Sequence, residues 1–392
     1  MPLACNNTKV KIATIIGARP QFIKAAPVSR AISKQNLESN GAQIEDIVIH
    51  TGQHYDHNMS QVFFEQLMIH PPKYNLEVGS GAHGEMTGIM LGRIEEVLLK
   101  EKPEFVLVYG DTNSTLAGAL AAAKLFIPVA HVEAGLRSFN RRMPEEVNRV
   151  LTDHLSDLLF CPTETSVRNL TNEGIIEGVF QTGDVMYDAF RFHKEQALKS
   201  SPILSQLNLR PKEYSLATVH RQESTDEHEA LSNIFNALEK IAAKDCPLII
   251  PLHPRTKKVL EQSHSKQRKN PWMYLISPVG YLDMIALESQ AKVILTDSGG
   301  IQKEAYFAQI PCVTLRDETE WLETLEDGWN HLGGRDSSTI LQAYQAALRS
   351  NRGDQSKPYG DGSASHLILQ HMLVASDRIN NRLQPSLEEV KR

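Results

Sequence analysis

Short, continuously apolar runs recur along nearly the whole chain. Each is followed by a cluster of Gly, Asp, Glu, His, Ser or Arg, and then by a longer stretch with helical spacing. Runs at 10–16, 47–49, 105–109, 129–132 and 158–160 read as buried strands, because they are apolar at every position rather than at alternate ones. The segments between them, 22–35, 59–68, 85–100, 115–125, 145–155 and 166–173, suit helices. The second half repeats the theme, with strands at 216–219, 248–251, 274–276, 293–295 and 312–315. Its helices are expected at 230–243, 281–290, 301–307 and 339–349, and a last one at 366–382. Such alternation dictates parallel α/β sheets: parallel neighbours need a crossover, and the crossover helix covers the sheet face. A chain of 392 residues exceeds what one core serves. The weak joint is the stretch 198–214, rich in Ser, Pro and Lys, and a second polar stretch lies at 350–365. The expected division is therefore a first domain over 1–197, a second over 198–363, and a terminal helix and tail over 364–392.

Charge narrows the class of partner. With 41 Lys+Arg against 47 Asp+Glu the net charge is −6, which argues against a general nucleic-acid or membrane-surface binder. A local group of cations can still hold a small anion. Cys5, Cys161, Cys246 and Cys312 lie far apart, so neither a disulfide framework nor a cysteine-rich zinc module is supported. The N-terminus lacks the order of a signal peptide, and no run approaches the roughly 20 apolar residues of a membrane helix. The expectation is a soluble, cytoplasmic protein.

Open α/β sheets bind ligands beyond the carboxyl ends of their strands, so the residues just after each apolar run carry the functional reading. After 10–16 comes Gly17-Ala18-Arg19-Pro20, then Lys24, a turn into a helix with cations beside it that suits an anion. After 105–109 comes Gly110-Asp111-Thr112-Asn113, where helix capping competes with an acid/base role. After 129–132 comes Glu133-Ala134-Gly135-Leu136-Arg137, and Glu is a poor cap. Met143-Pro144-Glu145-Glu146 opens a helix, where two carboxylates also favour the helix dipole. Together Asp111, Glu133 and Glu145 form a candidate acid/base set. In the second half the strand ends carry His220-Arg221 and His253-Pro254-Arg255, which suit anion binding or proton transfer. The sharpest element is Thr296-Asp297-Ser298-Gly299-Gly300, a small-residue turn whose helix amides can hold a diphosphate. Glu304 lies one turn on, placed for ribose hydroxyls, and Arg316 ends the next strand as a second cation.

Two patterns are set aside. Gly79-Ser80-Gly81-Ala82-His83-Gly84 matches a dinucleotide fingerprint, but the residues before it, 74–78, make a poor buried strand. His50, His54 and His57 are close in sequence, but no carboxylate-rich or cysteine framework completes a metal set.

The ordered motifs Gly17-Ala18-Arg19-Pro20 with Lys24, Gly52-Gln53-His54, Gly110-Asp111-Thr112, His131-Val132-Glu133-Ala134-Gly135-Leu136-Arg137, Pro144-Glu145-Glu146, His220-Arg221, His253-Pro254 and Asp297-Ser298-Gly299-Gly300 resemble those of the non-hydrolysing UDP-N-acetylglucosamine 2-epimerases, from about residue 9 to about residue 380. The resemblance implies two Rossmann-like domains facing across a cleft, the GT-B arrangement, with the last helix crossing back to the first domain. It implies a UDP-sugar substrate, no cofactor, no metal and no nicotinamide, and a cytoplasmic homodimer serving surface polysaccharide synthesis. In the family reaction UDP is eliminated to leave a 2-acetamidoglucal, then re-added while C2 is reprotonated on the other face. By matching motif, Asp111, Glu133, Glu145 and His220 are the catalytic group. Arg19, Lys24, His220, Ser298, Gly299, Gly300, Glu304 and Arg316 contact the UDP-sugar.

The chain departs from the best-known members after Arg316. Where they commonly read Thr-Glu-Arg-Pro-Glu, this chain has Thr319-Glu320-Trp321-Leu322-Glu323. With Arg137-Ser138-Phe139-Asn140 and Val279-Gly280-Tyr281, this is more similar to the branch acting on UDP-2,3-diacetamido-2,3-dideoxyglucuronic acid. Bacterial members carry an allosteric UDP-GlcNAc site, whose Gln53, His54, Arg221 and His253 are kept, while 55–58 and 80–86 differ. The expectation is a UDP-GlcNAc 2-epimerase, with the diacetamido-uronate as alternative substrate. A GT-B glycosyltransferase and a non-catalytic UDP-sugar sensor are the more distant readings.

Overall fold

The computed structural model describes residues 10–38, 44–52, 69–262, 270–350, 352 and 357–383. Its contacts divide the chain into two units: Met1–Ala189 with Lys357–Arg392, and Phe190–Ser356. The division falls inside the helix Val185–Ser200 rather than in the polar stretch beyond it, which itself holds the short helix Ile203–Gln206.

In the first unit the strands are β1 (Val10–Ile16), β2 (Ile44–His50), β3 (Tyr74–Asn75), β4 (Phe105–Tyr109), β5 (Val129–Val132), β6 (Leu158–Cys161) and β7 (Val179–Gln181). They form one parallel sheet in the order β3-β2-β1-β4-β5-β6-β7. In the second unit β8 (Ser215–Thr218), β9 (Leu248–Pro251), β10 (Met273–Ile276), β11 (Val293–Thr296), β12 (Cys312–Thr314) and β13 (Asn330–Leu332) pair in the order β10-β9-β8-β11-β12-β13, again parallel. The central strands are buried at every position, which is why their sequences are apolar throughout. The edge strands β3, β7 and β13 are two or three residues long and partly exposed, so no apolar run announces them.

In each sheet the chain reverses direction once. The reversal lies between β1 and β4 in the first unit and between β8 and β11 in the second. Beside a reversal, helices leave on opposite faces of the sheet, so the strand ends are left uncovered. Gly17, Gly110 and Glu133 come directly after β1, β4 and β5; His220 and Asp297 come after β8 and β11. The glycine pattern at 79–84, by contrast, comes after the two-residue edge strand β3, far from the reversal.

Helices complete the layers. The helix Asn113–Lys124 starts on a reciprocal cap between Thr112 and Thr115. In the second unit Leu231, Ile234, Phe235 and Leu238 of His228–Ile241 pack on Val293, Leu295 and Val313 of the sheet. The terminal helix Ala364–Leu383 belongs to the first unit, where it packs on the helix Arg19–Glu38. Asp188 caps it from outside, accepting from the amides of Ala364 (3.2 Å) and Ser365 (2.8 Å) and from the Ser365 hydroxyl (2.7 Å). No described helix is long and apolar enough to cross a membrane.

Gly17 shows how tightly the strand ends are packed. A Cβ there would lie 2.0 Å from Thr51 Oγ1 and 2.3 Å from Ser114 Oγ, two hydroxyls that bond each other at 2.8 Å. We therefore expect Gly17→Ala to lower stability by about 1–3 kcal/mol through overpacking. Gly88, exposed in the helix His83–Glu101 with open space around it, should behave oppositely: Gly88→Ala gains roughly 0.5–1 kcal/mol from helix propensity. Urea-unfolding midpoints of the two variants check both signs.

Candidate active site

In the first unit, Gln21 ties the ends of β1 and β4 together. Its side-chain carbonyl accepts from the amides of Gly17 (2.8 Å) and Ala18 (3.0 Å). Its amide group donates to Tyr109 O and Thr115 Oγ1, both at 3.0 Å. The amides of this turn are thus already used, and an anion here would rely on side chains. Arg19 opens the helix, but its side chain lies outside the described residues.

Lys24, one turn further, is buried and forms an ion pair with Glu133. Glu133 carries a φ of 74°, a left-handed conformation that costs a non-glycine residue about 1–2 kcal/mol. Gly110, with φ 62°, lies beneath the pair: a Cβ there would sit 3.0 Å from Lys24 Nζ and 3.2 Å from Glu133 Oε2. A Cβ at position 110 would crowd both charged groups, and the left-handed φ would strain it further. The strand ends of β4 and β5 are shaped around this ion pair.

Asp111, the next residue, pairs with Arg149, whose other nitrogen reaches Glu146 Oε2 at 3.1 Å. One buried guanidinium thus joins two carboxylates. Asn148 donates to the Asp111 carbonyl (2.9 Å) and to Asn113 (3.2 Å). Of the adjacent glutamates, Glu146 points inward, accepting from the amides of Ser138 and Phe139 and the Ser138 hydroxyl, each at 2.9 Å. Glu145 is exposed on the first turn of Pro144–Leu155 and makes no hydrogen bond or ion pair among the described residues. The structure therefore brings Lys24 to Glu133 and Arg149 to Asp111, and leaves Glu145 to solvent.

Behind these groups lies a buried network. His131 has Nδ1 2.7 Å from Asp153 Oδ1 and Nε2 2.8 Å from the Gly110 carbonyl. Asp153 Oδ2 accepts from the Gly135 amide (3.1 Å) and Arg137 Nη1 (2.6 Å), and Arg137 grips Glu173 with two bonds of 2.7 Å. Burial alone would raise the Asp153 carboxyl, but His131 and Arg137 outweigh it and hold it below the usual range.

In the second unit Asp297, fully buried, accepts from the backbone amides of His220 (2.9 Å) and Arg221 (2.9 Å). This fixes the loop after β8 against the turn after β11. His220 keeps its ring about one-third exposed, with Nδ1 3.5 Å from Asp297 Oδ1. His253 lies beside it, ring centroids 5.4 Å apart. Ser298 caps the helix Gly299–Ala308, so its hydroxyl serves the Ile301 amide at 3.5 Å. The first amides, at Gly299 and Gly300, have no carbonyl inside the helix to bond. Near Gly299, within 4 Å of where a Cβ would be, lie Trp321 Nε1 (3.2 Å) and Arg221 Nη2 (3.9 Å). Donors of three kinds therefore converge on one helix N-terminus. Glu304 is buried one turn along.

Arg316, expected as a phosphate cation, instead grips Glu320 through two bonds of 3.0 and 3.1 Å, both side chains about 5% exposed or less. Burial opposes ionisation of Glu320, yet the Arg316 guanidinium holds its carboxyl down at about 2. Arg221 and His253, expected as part of a separate regulatory site, lie with His220 around Asp297 and Gly299. Gln53 and His54 lie outside the described residues, as does His57. Sequence reading missed Arg149, Glu146 and the His131–Asp153 network. The inward spacing of Glu146 and Arg149, three apart on one helix, was the available signal.

Comparison with known proteins adds names to this geometry. The family model for UDP-N-acetylglucosamine 2-epimerase matches residues 35–373. Among curated proteins, a UDP-N-acetylglucosamine 2-epimerase homolog of Methanococcus maripaludis is 55% identical, over 92% of this chain and 99% of its own. The UDP-2,3-diacetamido-2,3-dideoxy-D-glucuronate 2-epimerase of Pseudomonas aeruginosa is 50% identical, over 93% of this chain and 99% of its own. A crystal structure of the Methanocaldococcus jannaschii UDP-GlcNAc 2-epimerase, in complex with UDP-GlcNAc and UDP, matches with a TM-score of 0.84 at 46% identity, covering 94% of this chain and all of that one. The architecture is α/β with two Rossmann-like units, of the GT-B type.

The Arg316–Glu320 pair has a consequence for stability. Glu320→Gln leaves a buried guanidinium without its carboxylate, which we expect to cost about 3–5 kcal/mol near neutral pH. The folded value of Glu320, about 2, lies below its ordinary 4.5. The pair's contribution is therefore full above about pH 5 and fades as pH falls from 4.5 towards 2. Chemical denaturation of the wild type and variant across this range should show the stability gap narrowing on acidification.

Proposed function

The chain belongs to the UDP-N-acetylglucosamine 2-epimerase family, and on that premise we propose that it inverts C2 of a UDP-sugar by eliminating and re-adding UDP, without hydrolysing it. It is an isomerase acting on carbohydrates. The observation that carries the assignment to this chain's own residues is the buried Lys24–Glu133 pair over Gly110, with the Arg149–Asp111 pair beside it on the same strand end. A proton on C2 is weakly acidic, so its removal needs a carboxylate fixed at one position. Inversion needs a second proton-carrying group, or a water it holds, on the other face. Glu133 and Asp111, each held by a cation, meet the requirement for fixed carboxylates. Glu145, exposed and without a side-chain partner among the described residues, is a group that substrate itself would engage.

Departure of UDP develops negative charge on the β-phosphate, which must be met by fixed donors. The amides of Gly299 and Gly300, with Ser298 forming the turn, supply them, and His220 adds a ring held next to Asp297. Glu304 takes the ribose, Arg19 and Lys24 serve the phosphate, and Arg316 orders the segment after β12 through Glu320. For Arg316 and Lys24 a direct phosphate contact would require exchange of their present carboxylate partners. The enzyme acts as a cytoplasmic homodimer in the synthesis of a surface polysaccharide.

UDP-GlcNAc is the proposed sugar, from the names of most relatives. The diacetamido-glucuronate is the second reading, favoured by the 50% identical relative and by Trp321-Leu322 in place of Arg-Pro. Each substrate incubated in D2O and followed by NMR separates them: the true one gains deuterium at C2 and the other does not. Exchange with neither would overturn the epimerase reading. Glu133→Gln is expected to lower kcat by about 10²–10⁴-fold while UDP still binds. Equal loss of UDP binding would make Glu133 a ligand-holding residue instead.

A further inference from the structure

Among the described residues of the first unit, outside the groups that face substrate, lies a cluster of buried charges, His131, Asp153 and Arg137, that ends on the more exposed Glu173. His131 and Asp153 are at most 1% exposed, and no step of the proposed reaction uses them. Their arrangement is specific. The two ring nitrogens of His131 face a carboxylate oxygen at 2.7 Å and a backbone carbonyl at 2.8 Å. The ring therefore bridges two acceptors that belong to different parts of the fold. Asp153 completes the bridge: one oxygen meets the His131 ring, the other takes the Gly135 amide and Arg137.

The couple thereby touches both strand ends that carry the proposed proton chemistry. Through Nε2 it holds the carbonyl of Gly110, one residue before Asp111. Through Asp153 it holds the amide of Gly135, two residues after Glu133. At and beside those anchors stand three left-handed residues: Gly110 (φ 62°), Glu133 (φ 74°) and Gly135 (φ 78°). Gly135 is confined as well, since a Cβ there would lie 2.3 Å from the Ser166 carbonyl. A glutamate does not hold such a conformation unaided; its surroundings must over-determine it.

We infer that the buried His131–Asp153 couple is a positioning device for the reaction: it clamps the loops after β4 and β5 and so holds Asp111 and Glu133 in register with each other. This rests on the epimerase reading for the function of Asp111 and Glu133, but the hydrogen-bonded clamp itself does not. Asp153→Asn is the discriminating variant. Asn can still accept from Gly135 and Arg137 but turns an amide nitrogen, not a carboxylate oxygen, to His131, so it keeps the shape and removes the carboxylate's charge. His131→Gln removes the Gly110 anchor. Glu173→Gln, at the partly exposed end of the network, loosens the grip on Arg137 and the contact with His154, and serves as the stability control.

Wild type and the three variants are titrated with UDP to count competent molecules, and kcat and KM are then measured per UDP site. We expect His131→Gln and Asp153→Asn to lower kcat about 10²-fold, as sub-ångström to 1 Å misplacement does, with UDP affinity unchanged. Glu173→Gln should lower the melting temperature and keep kcat. Wild-type kcat per UDP site in both His131→Gln and Asp153→Asn would overturn the inference. Absence of turnover in the wild type would instead overturn the parent reading. Should the first two variants not fold, the native enzyme decides. By NMR hydrogen exchange in the native enzyme, the Gly135 amide and a His131 ring N–H must exchange slowly, and fast exchange of both overturns the clamp.

Discussion

The ion pair between Lys24 and Glu133 organises the first unit around itself. Two charges taken out of water cost several kcal/mol each unless their geometry is nearly ideal, and removing one partner strands the other. The surroundings show what that demands. Gly110 is bare beneath the pair, where a Cβ would crowd both charges and φ is left-handed, and Glu133 is itself in a left-handed conformation. Gln21 locks the β1 and β4 turns so that Lys24 arrives from the correct direction. A fold optimised for stability alone would place a hydrophobic pair there. A strained, buried, charged pair in its place is the feature on which the proposed proton chemistry rests.

The second unit solves a complementary problem with different means. Its key carboxylate, Asp297, is not presented to ligand but spent internally, accepting the amides of His220 and Arg221. That fixes a histidine, an arginine and a glycine-opened helix around one point, which is what a departing diphosphate requires. Arg316 and Glu320 neutralise each other just beyond β12. Each sheet thus gathers its charged groups at the ends of the strands beside its reversal, the one place where a parallel sheet leaves its carboxyl ends uncovered.

Much of this was legible in the sequence because a central parallel strand must be apolar along its whole length. The runs that became β1, β4, β5, β8 and β11 could hardly be anything else, and Asp111, Glu133, His220 and Asp297 are read directly from their places at the ends of those runs. The edge strands β3, β7 and β13 were not legible, since they are short, half exposed and mixed in composition. Pairings were hidden for another reason: Lys24 and Glu133 stand 109 residues apart, and Arg149 and Asp111 stand 38 apart. Sequence motifs name both residues of the first pair but not the bond, and of the second they name only Asp111. Glu145 and Glu146 illustrate the finest limit. They are adjacent and chemically alike, and only the rotational phase of the helix decides that Glu146 is buried against Ser138 and Arg149 while Glu145 meets solvent.

The central claim is that these fixed carboxylates work on a sugar whose bond to UDP is broken and remade. The most direct measurement is positional isotope exchange on UDP-GlcNAc carrying ¹⁸O in the bond between C1 and the β-phosphorus. If the C1–O bond breaks while UDP stays bound, the β-phosphate can rotate, and the label moves into its non-bridging oxygens at a rate comparable to epimerisation. Epimerisation with the label retained wholly in the bridge would contradict elimination and require inversion at C2 with UDP attached throughout.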